Sequence, residues 1–419
     1  MYMDVQKEWN LKGKAYAEEI NTMVDFGEKN GWENWKGKEP EDIRTHLGKG
    51  VLDLLKKANL EGSVEEFRLN FPPSNMPIIK FIEKQSQSIE QLCFINDQKI
   101  VFLIGTPYQE RQAYLLDGDK VLELDSSIVG IGKSKQGDVF AIASGNKISL
   151  FKNWNGNLIN EFVVNDIAES LGITELIPFN DGSKVILTSS SGIFLISEEG
   201  QKLIHPLNDD EDEDENDDDE YEFSIDMENA ALSNDNNFIV VGEQDGDHLV
   251  LDKSGNAIGS IGPQSSYPHF CLFSKDDKQV ITNSCHFYNG ITIGVAVSKL
   301  NGIAIEAYED GDYNVIDEEM RVYAGVSASD YYILGDAYGY IKAFDQNGKK
   351  LWRHYLGSTI SGMTLSDDEK TLWIGSSSGI LHKLQLGKGH RDEHTIGNGD
   401  HYEEFRLLIW KDEPQIWKW

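Results

Sequence analysis

Residues 339–352, Gly-Tyr-Ile-Lys-Ala-Phe-Asp-Gln-Asn-Gly-Lys-Lys-Leu-Trp, constrain the fold most, because they describe a hairpin and because the hairpin recurs. Ile341, Ala343 and Leu351 alternate with polar residues as in half-buried strands, and Asp345 to Gly348 supply the turn. Looser copies stand at 146–156, 192–200 and 247–255. Repetition of this kind outranks any single motif as evidence of fold.

Each unit opens with an apolar strand, turns on Asp or Asn, and enters a second strand ending in small residues. The turns are 96–97, 135–138, 180–183, 234–237, 275–278, 328–330 and 366–369. The strands after them begin near Val101, Val139, Val185, Phe238, Val280, Tyr331 and Leu372, at intervals of 38, 46, 53, 42, 51 and 41 residues. Four-stranded propeller blades have periods of about 40 to 50 residues. One such sheet buries too little alone, whereas sheets stacked face to face around an axis cover one another. The expected fold is therefore all-β, a seven-bladed β-propeller over 76–419 preceded by a small α-helical region, with an incomplete eighth blade as the rival count. For closure, Pro77–Glu83 is expected as a lone strand completing the last blade. The carboxy-terminal hairpin within 402–419 is a second candidate.

The first 75 residues lack the repeat. Apolar residues at 20, 23 and 24, and at 43, 47, 51, 52, 54 and 55, are spaced for two or three helices, and 71–75 (Phe-Pro-Pro-Ser-Asn) is expected as a stiff linker. Trp32 and Trp35 sit in a glycine-bounded turn, either packing the helices or anchoring a partner.

The formal charge is −33, from 71 acidic and 38 basic residues, and only a net −3 falls in the first 75. That surface repels phosphate backbones and anionic lipid, so nucleic-acid and membrane binding are not expected, and a basic protein partner is. No apolar run suggests a secretory leader or a membrane span, and three cysteines suit reduced, buried thiols, so the expected location is cytoplasmic. The acidity peaks in 208–222, which holds 12 carboxylates, among them Asp209, Asp210, Glu211, Asp212, Glu213, Asp214, Glu215, Asp217, Asp218, Asp219 and Glu220. Without apolar residues the run cannot pack, so a disordered, solvated loop is expected. It either lures a basic surface or has no single partner. It lacks the spaced ligands and glycine of a calcium loop.

The repeat at 340–352 resembles that of pyrroloquinoline-quinone-type propellers, whose units run glycine, aromatic, apolar, alanine, apolar, aspartate, glycine turn, tryptophan. The looser copies are equally similar to tryptophan-aspartate-repeat propellers, and the whole resembles a bacterial β-propeller repeat protein across 77–386. The resemblance implies the propeller fold, and it embraces quinone-dependent dehydrogenases as well as non-enzymatic scaffolds. The vicinal cysteine pair of the dehydrogenases is missing, since Cys93, Cys271 and Cys285 stand far apart, so no cofactor is expected.

His390 to His394 spells the H-x-x-E-H string of zinc peptidases, but flanking glycines at 387, 389, 397 and 399 argue for a loop rather than the helix that chemistry needs. No metal site, Ser-His-Asp set or phosphate loop is expected. The reading is a non-enzymatic protein-interaction scaffold, with an immunity-type neutraliser of a basic bacterial toxin as one subclass. Its expected anchors are the aromatics near turns: Tyr108, Trp154, Tyr288, Tyr338 and Trp352. The rival is a lactonase-like hydrolase with a metal at the central channel, held by carboxylates such as Glu90, Glu175, Asp226 and Glu228.

Overall fold

A computed structural model describes residues 2–164, 172–207, 224–287, 289–389 and 391–419. Seven sheets stand among them, each with four antiparallel strands taken in chain order: blades 1 to 7 begin at residues 89, 128, 173, 229, 267, 322 and 360, and one strand of blade 5's connection is added to blade 4. We letter the strands of each blade A to D from the inside out. The innermost strands of neighbouring blades adjoin all the way round, and that of blade 7 meets that of blade 1. The chain is a seven-bladed β-propeller. All seven strands expected after the Asp and Asn turns are the B strands of their blades.

The founding hairpin is the C–D pair of blade 6, with Tyr340–Asp345 antiparallel to Lys350–Tyr355. Asp345 closes the turn by accepting from the backbone N–H groups of Asn347 and Lys349, each at 2.9 Å. Gly348 has φ of 83°, and a Cβ there would stand 2.2 Å from the Val315 carbonyl of blade 5. Its aspartate and glycine are therefore blade-building residues.

Closure does not use the expected amino-terminal strand. Met76–Ile78 is a 3-10 turn and Ile79–Gln85 a helix, because the apolar residues there repeat every fourth position: Ile78 and Ile82 share a buried face. The carboxy terminus completes blade 7 instead, Tyr402–Leu408 as its D strand and Trp417–Lys418 as a fifth strand. The ring closes by apolar contact, with Ile89, Phe94 and Phe102 of blade 1 packed against Trp373, Phe405 and Leu407 of blade 7. Two hydrogen bonds reinforce the seam: Ser361 Oγ donates to the Ile89 carbonyl (2.9 Å) and Phe94 N–H donates to Thr364 Oγ1 (3.1 Å). The 51-residue interval has its own cause, since the C–D connection of blade 5 sends Ala304–Ile305 to pair in parallel with blade 4.

Four helices precede the ring: α1 (Tyr2–Asn30), α2 (Gly48–Glu61), α3 (Val64–Asn70) and α4 (Ile79–Gln85). On α1, Trp9, Gly13, Ala17, Asn21, Val24 and Gly27 are buried, a stripe at three-to-four spacing that lies against the rest of the protein. Gly13 leaves room for the Arg44 guanidinium, which a Cβ would meet at 2.4 Å. Trp9, Val51, Leu55, Phe67, Phe71, Trp410, Trp417 and Trp419 form one core cluster, so the helices and blade 7 share a core. The stretch expected as a linker is packed: Phe71 is fully buried, and Asn75 donates to the Leu356 carbonyl and accepts from Arg406.

Candidate partner-binding face

Alternating strand direction gives the propeller two ends. A–B and C–D turns gather at one, B–C turns and D–A connections at the other. At the A–B end, the Asp and Asn turns are tied to each other. Asn180 Oδ1 accepts from Gln136 N–H (2.9 Å), Asn236 Oδ1 from Asn180 N–H (2.7 Å), and Asp277 Oδ1 from Asn234 N–H (2.8 Å). Glu369 receives Ser329 N–H (3.1 Å) and pairs with Lys275. These polar groups are consumed in holding blade to blade.

The B–C end is different. Tyr108 (69 % exposed), Phe287 (69 %) and Tyr338 (51 %) stand on B–C turns of blades 1, 5 and 6. Met227 is exposed on the D–A connection into blade 4, and Tyr267 and Tyr323 at the starts of the A strands of blades 5 and 6. Carboxylates of Glu110, Asp226, Asp245 and Glu318 lie exposed among them. Two arginines at this end are both occupied. Arg111 is buried, donating to the carbonyls of Gly105 (3.2 Å), Val129 (3.0 Å) and Ile173, with Glu90 at 3.4 Å. Arg321 donates to the Phe287 carbonyl (3.2 Å) and lies over the Tyr323 ring at 5.0 Å. Lys147 is paired with Glu161 at 2.7 Å, and Lys84 and Lys411 are exposed beside blades 7 and 1, so the face is aromatic and anionic over blades 3 to 6.

The expected anchors divide. Tyr108 and Tyr338 are on this face. Trp32 is at its rim, 44 % exposed, with its indole N–H donated to Glu319 at 2.9 Å. Trp35 packs on Phe26 with ring centroids 5.4 Å apart. Trp154 belongs to the opposite end and meets Phe140 edge-on at 5.6 Å, and Trp352 packs against His401 at 4.2 Å. Tyr288 and the acidic run from Asp209 to Glu222 lie outside the described residues; their neighbours Phe287, Leu207 and Ser224 are all at this end. Phe287, Met227, Tyr267 and Tyr323 went unnoticed in the sequence, although the repeat frame puts each one at a turn or strand start where a core residue is not needed.

The four channel carboxylates do not assemble. Glu90 faces Arg111, Asp226 and Glu228 are at the B–C end, and Glu175 lies in a channel cavity of about 300 Å³ lined toward the A–B end by Lys133, Lys135 and Lys275. Glu175 is wetted yet ringed by protein, which pushes its carboxyl up to about 7 against the pull of Lys135. Gln91 crosses nearby, accepting from Ile131 N–H and donating to the Thr174 carbonyl. Among the described residues, no three His, Cys, Asp or Glu side chains converge on a point that would hold a metal ion. His390 is outside the described residues, and 391–399 is not helical: the Asp392 carboxylate accepts from His394 N–H (2.9 Å) and Thr395 Oγ1 (2.8 Å), a loop-forming arrangement.

A second cavity, about 320 Å³, lies at the seam of helices and ring, lined by Arg44, Arg68, Arg406, His354, His401 and Glu403 among others. Its guanidinium groups are engaged: Arg44 with Asp42 (2.6 Å), Arg68 with the carbonyls of Glu404 and Trp419, and Arg406 with Glu403 (2.7 Å).

Buried imidazoles set the acid limit of the whole fold. Burial holds His205, His269, His354 and His401 down to about 4 and His248 to about 3. The unfolded chain binds protons on these rings near pH 6.5 while the folded chain does not, so stability is present at neutral pH and lost as pH falls from about 6.5 toward 4. Glu175 and Asp336, pushed up by burial to about 7 and about 6, and Glu90, Glu228 and Glu243, also pushed up by burial, oppose this over an overlapping window, but burial lowers His382 and His394 as well, so seven imidazoles stand against five carboxyls. The melting temperature should drop by about 5 °C or more between pH 7 and pH 5. A flat or rising Tm on acidification, followed by circular dichroism, contradicts the assignment.

No protein-family profile matches the chain, and no curated protein matches it. Among solved structures, it is similar to a chain of the mitotic checkpoint complex (TM-score 0.46, 11 % identity, 67 % of this chain and 77 % of that one). It is also similar to the β-propeller domain of Cps50 (Swd1) from Myceliophteria thermophila (TM-score 0.48, 10 % identity, 68 % and 92 %). Neither adds to what the strand order establishes. Fold and face together define the class: a seven-bladed propeller with an integral helical buttress, one end knitted shut by its own turns and the other aromatic and acidic.

Proposed function

We propose that the protein is a non-enzymatic interaction scaffold whose B–C end binds a basic protein. One observation carries this: that end exposes aromatic side chains amid carboxylates while both of its arginines are engaged internally. Aromatic anchors supply contact area at low entropic cost, and the negative field steers a cationic partner and sets its on-rate. The acidic run, whose described neighbours Leu207 and Ser224 are at this end, would add to the field. A basic toxin held by an immunity-type protein is one partner of this chemistry.

The test is comparative capture from host extract. Wild type should retain a basic protein at low salt that elutes as ionic strength rises to about 0.3 M, where screening reaches within about 6 Å. The Tyr108→Ala/Phe287→Ala/Tyr338→Ala variant should retain at least about tenfold less of the same protein. Lys120→Ala, at the opposite end, should retain as much as wild type. A protein captured equally by the three, or held regardless of salt, rules the face out.

A further inference from the structure

Between blades 3 and 4 the acidic face contains a group of side chains that the fold leaves only partly satisfied. His205 ends the D strand of blade 3, Asp226 and Glu228 precede the A strand of blade 4, and Glu243 follows its B strand. Glu228 and Glu243 each feel Asp226, Glu228 also feels Glu243, and Glu243 also feels Asp245. Burial and this mutual repulsion push both carboxyls up. Among the described residues, no lysine or arginine pairs with any of the three.

Histidine supplies the independent observation. His205 is only 6 % exposed, neither ring nitrogen has a hydrogen-bond partner, and Nε2 points at Glu243 Oε1 from 3.5 Å. Glu228 takes hydrogen bonds from Thr174 and from its own backbone N–H, but its Oε1 is buried with no partner. Buried polar atoms are nearly always satisfied, so each orphan asks for an explanation. Burial keeps the His205 ring neutral at pH 7, leaving one nitrogen able to accept.

We propose that Glu228, Glu243 and the His205 ring receive one arginine side chain of the basic partner. This rests on the function proposed above and names its point of recognition. The unpartnered atoms, Glu228 Oε1 and the His205 ring nitrogens, and the Glu243 carboxylate are spread across a width. A metal ion needs ligands converging on a point, which these do not provide. An ammonium is a compact charge, whereas a guanidinium is a planar fork of five donors that can reach several separated acceptors at once.

Two labelled hexapeptides of equal charge, alternating Arg-Gly and alternating Lys-Gly, test this by fluorescence anisotropy with the full chain. Wild type should bind the arginine peptide about tenfold more tightly than the lysine peptide. Glu228→Gln/Glu243→Gln should erase that preference while keeping lysine-peptide affinity within about threefold, and Glu243→Gln alone should reduce it. Replacing the 12 carboxylates of 209–222 by their amides should weaken both peptides and preserve the ratio. Equal affinity of the two peptides for wild type, or a preference surviving in Glu228→Gln/Glu243→Gln, overturns the arginine site and leaves the basic-partner reading standing. Binding of neither peptide to wild type overturns both. The amides are isosteric and relieve repulsion, so a melting temperature no lower than wild type confirms that the variants are folded.

Discussion

Trp419→Ala should unfold with about 3–5 kcal/mol less free energy than wild type. The Trp419 ring is 1 % exposed and packs 6.1 Å from Trp9 and 5.9 Å from Phe67 between ring centroids. Its indole N–H donates to the Phe71 carbonyl at 2.8 Å, and its backbone exchanges hydrogen bonds with Arg406 on the D strand of blade 7. One side chain thus joins α1, α3 and the last blade, the three parts that close the helical buttress onto the ring. Alanine would leave a void among aromatic rings that cannot collapse, because each is fixed by its own neighbours. Equilibrium denaturation followed by tryptophan fluorescence and by far-ultraviolet circular dichroism reads the effect. A loss below about 1 kcal/mol would show that the helices fold against the propeller without this contact.

The propeller was legible because its signal is local and repeated. An Asp or Asn turn followed by an apolar B strand depends on a few neighbouring residues, and seven imperfect copies average out the ambiguity of each. The Pro77–Glu83 error has the opposite origin. Four apolar residues in seven fit either period, and what decides is the cluster around Trp9 and Trp419, brought together from opposite ends of the chain. The same distance hid the role of 71–75: two prolines suggest a spacer, but Arg406 and Leu356 turn Asn75 into a plug. At the candidate face, composition gave the sign of the charge and Tyr108 and Tyr338 were visible as aromatics near turns. Trp154 looked the same in sequence and packs on Phe140, because whether a turn aromatic points outward is set by the neighbouring strand. The unsatisfied state of His205 could not be read at all, since it is a property of what surrounds the ring.

Asp25→Asn/Glu28→Gln should destabilise the protein more than removal of the arginine that those carboxylates face. Arg353, on the D strand of blade 6, is 2 % exposed; NH1 meets Glu28 at 2.6 Å and NH2 meets Asp25, both on α1. Its Nε is buried without a partner, so the two carboxylates provide the main compensation for its charge. Neutralising both leaves a nearly buried ion that cannot lose its proton, and breaking a buried pair in this way costs about 3–5 kcal/mol. The low end of that range applies, because Asp25 is partly wet and water can re-enter beside it. Arg353→Met keeps much of the volume and removes the charge. It returns Asp25 to solvent and leaves Glu28 still paired with Lys350 at 2.9 Å, so its loss should be about 1–2 kcal/mol. The ordering tests whether the helical region is held by charge satisfaction or only by shape. If Arg353→Met proves the more damaging, the aliphatic stem and planar packing of the arginine matter more than its charge, and α1 docks chiefly through the Trp9 and Ala17 stripe.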